Sequence, residues 1–402
     1  MPPKWHAHFE DQDVRRWHEQ LSTGSSITAD ERLRILARYC GLQNTTPGEL
    51  VALGRDPSGG RRALEDQLMD FVARLRREQK SPGYIEQYVK TLKSWLLFNE
   101  VALVRRIRVG DTRATPTLDN ERIPTKPELH GALSIASQRG KVSISLCAFS
   151  GLRPEVLGSR RGDDGLRLKD LPDLEIRNGR VVFKNVPARV IVRRELSKVR
   201  RPYFSFLPVQ GCRYLASYLE GRAASGEELG VDAPVVRVQL RHEKKGRPVD
   251  TAAHGSSFLT TQAITKEIRQ ALWTQVRLRP YVLRSYFATN LEMAERNGKI
   301  TQSDRKFFMG RAGDIDRRYT SGKARLPPEV VEEMRKAYEG SAEFLTTEER
   351  GGAVWAHDPT GLPIPAAWAT QEDYGQAVQE LIRLRDELRA ELDELHRGKP
   401  TH

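Results

Sequence analysis

The stretch Arg279–Thr320, RPYVLRSYFATNLEMAERNGKITQSDRKFFMGRAGDIDRRYT, organises the chain. It opens on Tyr281-Val282-Leu283-Arg284 and runs into a pattern in which Phe287, Leu291 and Ala294 share one helix face. Asn297-Gly298 ends that helix, since glycine takes the left-handed backbone of a helix stop without strain. A second apolar run, Phe307-Phe308-Met309, stops at Gly310, and Tyr319 follows nine residues later in a basic loop beside Arg317 and Arg318. Far upstream, Ser150-Gly151-Leu152-Arg153-Pro154 sets another arginine between a helix-ending glycine and a helix-opening proline.

The rest of the chain bounds what such a pairing can serve. With 402 residues, 38% of them hydrophobic, it has room for two or three domains with cores. A net charge of +13 points to a polyanionic partner, most often nucleic acid. Cys40, Cys147 and Cys212 are odd in number and far apart, which argues against disulfides and a zinc site and for a reducing compartment. Cys147, in the apolar run Val142 to Phe149, reads as a buried thiol. His6 and His8 have no third ligand nearby. No segment approaches the roughly 18 apolar residues of a membrane helix, and the N-terminus lacks a signal-peptide core, so no membrane partner and a cytoplasmic location are expected.

In order, residues 1–25 are polar with scattered aromatics and read as a tail or arm. Residues 26–106 read as four helices: one stopped by Gly41, one opened by Thr46-Pro47, one carrying Leu64, Leu68, Phe71 and Leu75, and one opened by Ser81-Pro82. Residues 107–126, with Arg108 and Arg113 among Gly, Thr, Asp and Pro, read as an extended basic linker. A second domain spans 127–345. Its helices are interrupted by strand chemistry: Leu174–Ile176 and Val181–Phe183 flank Asn178-Gly179, and Val190–Val192 and Tyr203–Phe206 flank a turn holding Lys198. Residues 231–257 read as a loop. Residues 346–402 read as a Gly/Pro-rich linker and a final helix, with leucines on one side, able to pair with another copy. The fold class is therefore mainly α with a small antiparallel β-sheet.

The arginines and the tyrosine make chemical sense as one site. A tyrosine hydroxyl can attack phosphorus and form a covalent intermediate. The charge that develops on the non-bridging oxygens suits fixed guanidinium forks such as Arg153 and Arg284, each at a helix start. Lys198, on its turn, is placed to protonate a leaving oxygen. No cofactor or metal is needed.

SGLRPEVLG (Ser150–Gly158), YVLRSYFAT (Tyr281–Thr289) and FFMGRAGDIDRRYT (Phe307–Thr320) together resemble the tyrosine recombinases, or phage-type integrases, and most closely their archaeal branch. The resemblance covers the layout from about Ile27 to Phe344 and is strongest from Leu146 to Leu345. It implies a two-domain DNA clamp: a helical, SAM-like core-binding domain and a catalytic domain. Arg153 would be the first catalytic arginine, Arg284 the second, Tyr319 the nucleophile and Lys198 the hairpin lysine, with Lys184 the other lysine on the sheet. The resemblance further implies a 3′-phosphotyrosyl link to double-stranded DNA and a homo-tetramer on paired sites. Two positions depart from the pattern: Tyr281 stands where a His or Lys is usual, and Arg311 where a His is usual. Arginine donates hydrogen bonds but is no base near neutral pH. A DNA-binding protein of the same fold that no longer cleaves is the alternative.

Overall fold

The computed structural model describes residues 10–112, 121–177, 179–238, 258–311, 326–348, 355–357, 363–365 and 383. The chain divides into two compact units, Met1–Glu121 and Arg122–His402.

Among its described residues the first unit holds five helices: α1 Gln12–Gly24, α2 Ser26–Gln43, α3 Pro47–Arg55, α4 Gly60–Arg77 and α5 Pro82–Phe98. Where the sequence suggested a tail, α1 is an integral element. Asp11 caps it with its carboxylate, and Val14 and Trp17 are buried, with Leu21 packed beside them. Their spacing is helical and was obscured by the charged residues between them. Trp17 meets Trp95 edge-on, with centroids 5.5 Å apart. Helix α2 passes through Gly41 and ends two residues later, where Asn44 takes the left-handed conformation. Threonine and serine caps start α3 and α5, each followed by a proline that has no N–H to leave unpaired.

The end of the helical domain and the first residues of the expected linker, 107–109, are also not free. Val101 and Ile107 are buried in the helical core, and Leu103 and Val109 pack against it. The buried Glu65 carboxylate accepts from the backbone N–H groups of Val104 and Arg105. These apolar residues fall on near-alternate positions among arginines, an extended pattern overlooked in a stretch rich in Arg and Gly.

In the second unit Thr125 caps α6 (Lys126–Ile135) in a reciprocal box with Glu128. Then come α7 (Gln138–Ala148) and the single turn α8 (Pro154–Leu157). Two separate two-stranded antiparallel ladders follow. Strands β1 (Leu174–Arg177) and β2 (Arg180–Phe183) pair across a two-residue turn with Arg177 opposite Arg180. Strands β3 (Ala188–Val192) and β4 (Tyr203–Leu207) pair with Val192 opposite Tyr203, leaving residues 193–202 as a long connecting loop. Helices α9 (Val209–Ala224), α10 (Thr261–Trp273), α11 (Val282–Arg296), α12 (Gln302–Phe308) and α13 (Pro328–Leu345) complete the unit. A third short ladder, β5 (Trp355–His357) with β6 (Pro363–Pro365), lies where a linker was expected. The molecule is thus mainly helical with small antiparallel ladders. The final helix expected over 371–396 lies outside the described residues, apart from Arg383.

The core of this unit is aromatic. Phe206 and Phe308 pack 5.6 Å apart, and Tyr338 lies within 5.7 Å of each. This ties β4, α12 and α13 together. Helix α7 is buried along most of its length, so the loop that follows it starts from a fixed point. All three cysteines are free and buried, and burial pushes each thiol up to about 12, leaving them inert at neutral pH.

If α1 belongs to the core, Trp17→Ala lowers unfolding free energy by about 3–5 kcal/mol, the usual range for removing a buried Trp. Urea denaturation of the full chain followed by circular dichroism measures this. A loss below about 1 kcal/mol would mean that α1 is a detachable arm.

Candidate anion-binding site

Three arginines of the second unit are buried, and comparing them locates the site. Arg335 meets the Asp173 carboxylate at 3.0 Å. Arg222 meets Glu227 at 2.6 Å. Each is neutralised, as a buried charge must be to avoid a large desolvation cost. Arg284, 3% exposed, is different. Its guanidinium donates to the carbonyl oxygens of Gly151 and Met309, and among the described residues no carboxylate pairs with it. Burial, and then the charge of Arg153, hold its pKa below the usual arginine value. Two guanidiniums therefore act on each other at one place, and among the described residues no carboxylate pairs with either.

The backbone explains how they come together. Arg153 is the N-cap residue of α8 and has extended backbone, with Pro154 at the first helical position. Just before it Gly151 has φ +66°, and a Cβ there would fall 2.3 Å from the Phe287 ring. Only glycine lets this loop lie so close to α11 that Arg284 reaches its carbonyl. Arg284 itself sits in the first turn of α11, a helix anchored by the buried Phe287, Leu291 and Ala294. Arg153 is half-buried and makes no hydrogen bond or ion pair among the described residues. It is left free for a ligand.

The third strand of the site comes from α12. Its last turn ends at Met309, whose carbonyl Arg284 holds, and Gly310 follows with φ +57°. Arg311 is exposed. It lines a recess together with Val199, Arg201, Pro202, Tyr203, Phe307 and Gly310. The β3–β4 loop thus reaches the same place. That loop is tethered at its root, where Arg193 holds Asp164 at 3.0 Å and Asp170 at 3.1 Å. Lys198 lies in the loop next to Val199, exposed and without an ion pair among the described residues. Lys184, the other lysine on the sheet, is engaged with Glu175 across the β1–β2 ladder. The two lysines, equivalent by strand pattern, differ in availability.

Tyr281, 51% exposed, caps the start of α11, and its phenol is close enough to act on the charge of Arg284. Tyr319 lies outside the described residues. One neighbour was not foreseen from the sequence. Tyr203, at the start of β4, is buried beside both Arg284 and Arg153. Its position in Tyr-Phe-Ser-Phe reads as ordinary strand packing, so no local signal distinguishes it.

No protein-family model matches this chain, and no curated protein does. Among solved structures it is similar to XerA recombinase, with 16% identity and a TM-score of 0.32 over 81% of this chain and 97% of that one. It is also similar to the integrase from mycobacterium phage Brujita, with 15% identity and a TM-score of 0.35 over 85% and 94% of the two chains.

The contrast between the two arginines is measurable. Arg284→Ala strands the Gly151 and Met309 carbonyls and leaves a void, so it costs about 2–5 kcal/mol. Arg153→Ala changes stability by no more than about 0.5 kcal/mol, as for a side chain without partners. Guanidinium denaturation of the two variants checks both values. A large loss at Arg153 would make it a structural residue.

Proposed function

We propose that this chain is a site-specific DNA recombinase or integrase that cuts and rejoins strands through a 3′-phosphotyrosyl intermediate. The observation that carries the reading is the uncompensated arginine pair. Arg284 is buried among carbonyls, Arg153 beside it is unpartnered, and no carboxylate balances them among the described residues. Such an arrangement is costly unless an anion completes it, and a backbone phosphate has the charge and the oxygen geometry that guanidinium forks suit. The net charge of +13 supports a duplex DNA partner.

In this reading Arg153 and Arg284 grip the non-bridging oxygens and stabilise the extra charge of the transition state. Tyr319 attacks phosphorus, the phosphodiester bond to the 5′ oxygen breaks, and Lys198 protonates that oxygen as it leaves. A 5′-hydroxyl then attacks the phosphotyrosyl bond and regenerates the tyrosine. Bond energy is conserved, so no nucleotide cofactor enters. Tyr281 and Arg311 flank the phosphate as hydrogen-bond donors. The protein acts as a homo-tetramer on paired sites, with the N-terminal helical unit as a second DNA-binding element.

Arg311 favours one other reading, a DNA-binding protein that no longer cleaves, because its guanidinium cannot remove the tyrosine proton. Covalent trapping separates them. The substrate is nicked duplex DNA carrying the attachment site of the chain's own genetic element. Wild type is expected to give a denaturation-resistant adduct that Tyr319→Phe abolishes. Binding without an adduct, with an adduct restored by Arg311→His, would establish the lapsed binder instead.

A further inference from the structure

Tyr203 combines three properties that packing alone does not require. It is 6% exposed, yet its hydroxyl hydrogen has no acceptor among the described residues, and the polar group it meets is the Arg284 guanidinium, itself only a donor. A buried hydroxyl without a partner is disfavoured, and most buried polar groups have one. The charges that act on it are those of Arg284 and Arg153, both cations, and it lines a recess with Arg311. Finally, its ring occupies the space above Gly310. A Cβ at that glycine would fall 2.5 Å from the Tyr203 ring. The residue after Met309 is thus a glycine in a left-handed conformation against which this ring rests.

These facts fit one another if the hydroxyl waits for the same anion as the arginines. Arg284 has donors only, and so has Arg153. A phenol can accept from a guanidinium and still donate its own hydrogen. What this corner of the site lacks is an acceptor of negative character, and the phosphate of the proposed reaction supplies one. We infer that Tyr203 donates its hydroxyl hydrogen to a non-bridging oxygen of the phosphate held by Arg153 and Arg284, as a third side-chain donor of the oxyanion site. The inference rests on the reading of the arginine pair as a phosphate site.

The hydroxyl has its hydrogen to give. Burial raises the phenol's pKa above its ordinary value, and the two guanidiniums only partly offset this. The group is therefore neutral near pH 7 and remains a donor. Gly310 contributes indirectly, by leaving room for the ring, and Arg284 holds the carbonyl of the residue before it. The position of the third donor is thus coupled to that of the second.

Tyr203→Phe keeps the ring and removes only the oxygen. Because that hydroxyl finds no acceptor among the described residues and meets only a guanidinium already held by two carbonyls, the variant should melt within about 1 °C of wild type, the behaviour of a residue kept for function rather than stability. Inorganic phosphate should stabilise wild type saturably, with a midpoint concentration about tenfold lower than for Tyr203→Phe. On nicked DNA the variant should form the covalent adduct about 10–100-fold more slowly, at unchanged affinity for the DNA. Arg153→Ala, in the same titration, marks what loss of the anion site looks like. Phosphate stabilisation and adduct formation equal to wild type in Tyr203→Phe would overturn the inference, and so would a lowered melting temperature with unchanged phosphate binding. Failure of the functional reading looks different: wild type then forms no adduct, while the phosphate midpoint still depends on Tyr203.

Discussion

The buried guanidinium of Arg284 is the constraint on which the second unit turns. It donates to the carbonyl of Gly151 after α7 and to that of Met309 after α12, segments separated by more than a hundred residues. Hydrogen bonds from a charged donor contribute about 1.5–3 kcal/mol each. Here they do more than stabilise, because the planar fork fixes the angle between the two loops. Arg153 extends from one of those loops and Arg311 from the other. The spacing of the site's cations is thereby set by a side chain that is itself one of them.

That position must be rigid to be useful, and the surrounding chain supplies the rigidity. Tyr338 of α13 donates to the Phe149 carbonyl just before the Gly151 loop, while its ring packs on Phe206 and Phe308. Tyr286 of α11 donates to the Leu345 carbonyl at the end of α13. Arg335, on the same helix, is the counter-example to Arg284. It meets Asp173 and stacks over Phe206, and Asp173 also accepts from Asn185 and the Arg189 backbone. Every charge in that second cluster has its opposite. A neutralised buried arginine builds structure, whereas one left among carbonyls retains a field that acts on whatever enters.

Much of this was legible in the sequence, for identifiable reasons. Residues whose roles follow from local rules were placed correctly: Asn297-Gly298 as a helix stop, the antiparallel pairing of the two strands that flank Gly179, Thr46-Pro47 and Ser81-Pro82 as helix starts. The failures came where polar residues hid a weak apolar period. Val14, Trp17 and Leu21 were masked by charged neighbours, and Val101, Leu103, Ile107 and Val109 by arginines and glycines. Long-range facts were not legible at all. Nothing local reveals that Arg284 reaches two carbonyls, that Lys184 is engaged with Glu175 while Lys198 has no ion pair among the described residues, or that Tyr203, though part of the core, lies beside two arginines. These depend on which loops meet.

The same geometry bears on how a tyrosine nucleophile could lose its proton without a histidine at 311. A unit positive charge about 4 Å away in a medium of effective dielectric near 20 favours an anion by about 4 kcal/mol, or about three units of acidity. One arginine so placed would bring a phenol from about 10 to near neutrality with no general base, and a second leaves a margin against desolvation. Tyr203 shows what opposes this, since it lies beside the same two guanidiniums and burial still raises it. The difference between a nucleophile and a donor in this site is therefore solvation. A tyrosine fixed in a strand and enclosed by the core keeps its proton and donates a hydrogen bond. One delivered to the same arginines on a polar loop, with water still around its hydroxyl, escapes the desolvation penalty and feels the attraction. Under the proposed function Tyr319, read from the sequence as a loop residue among arginines, would belong to the second kind, and Arg311 would serve by its charge and not by its basicity.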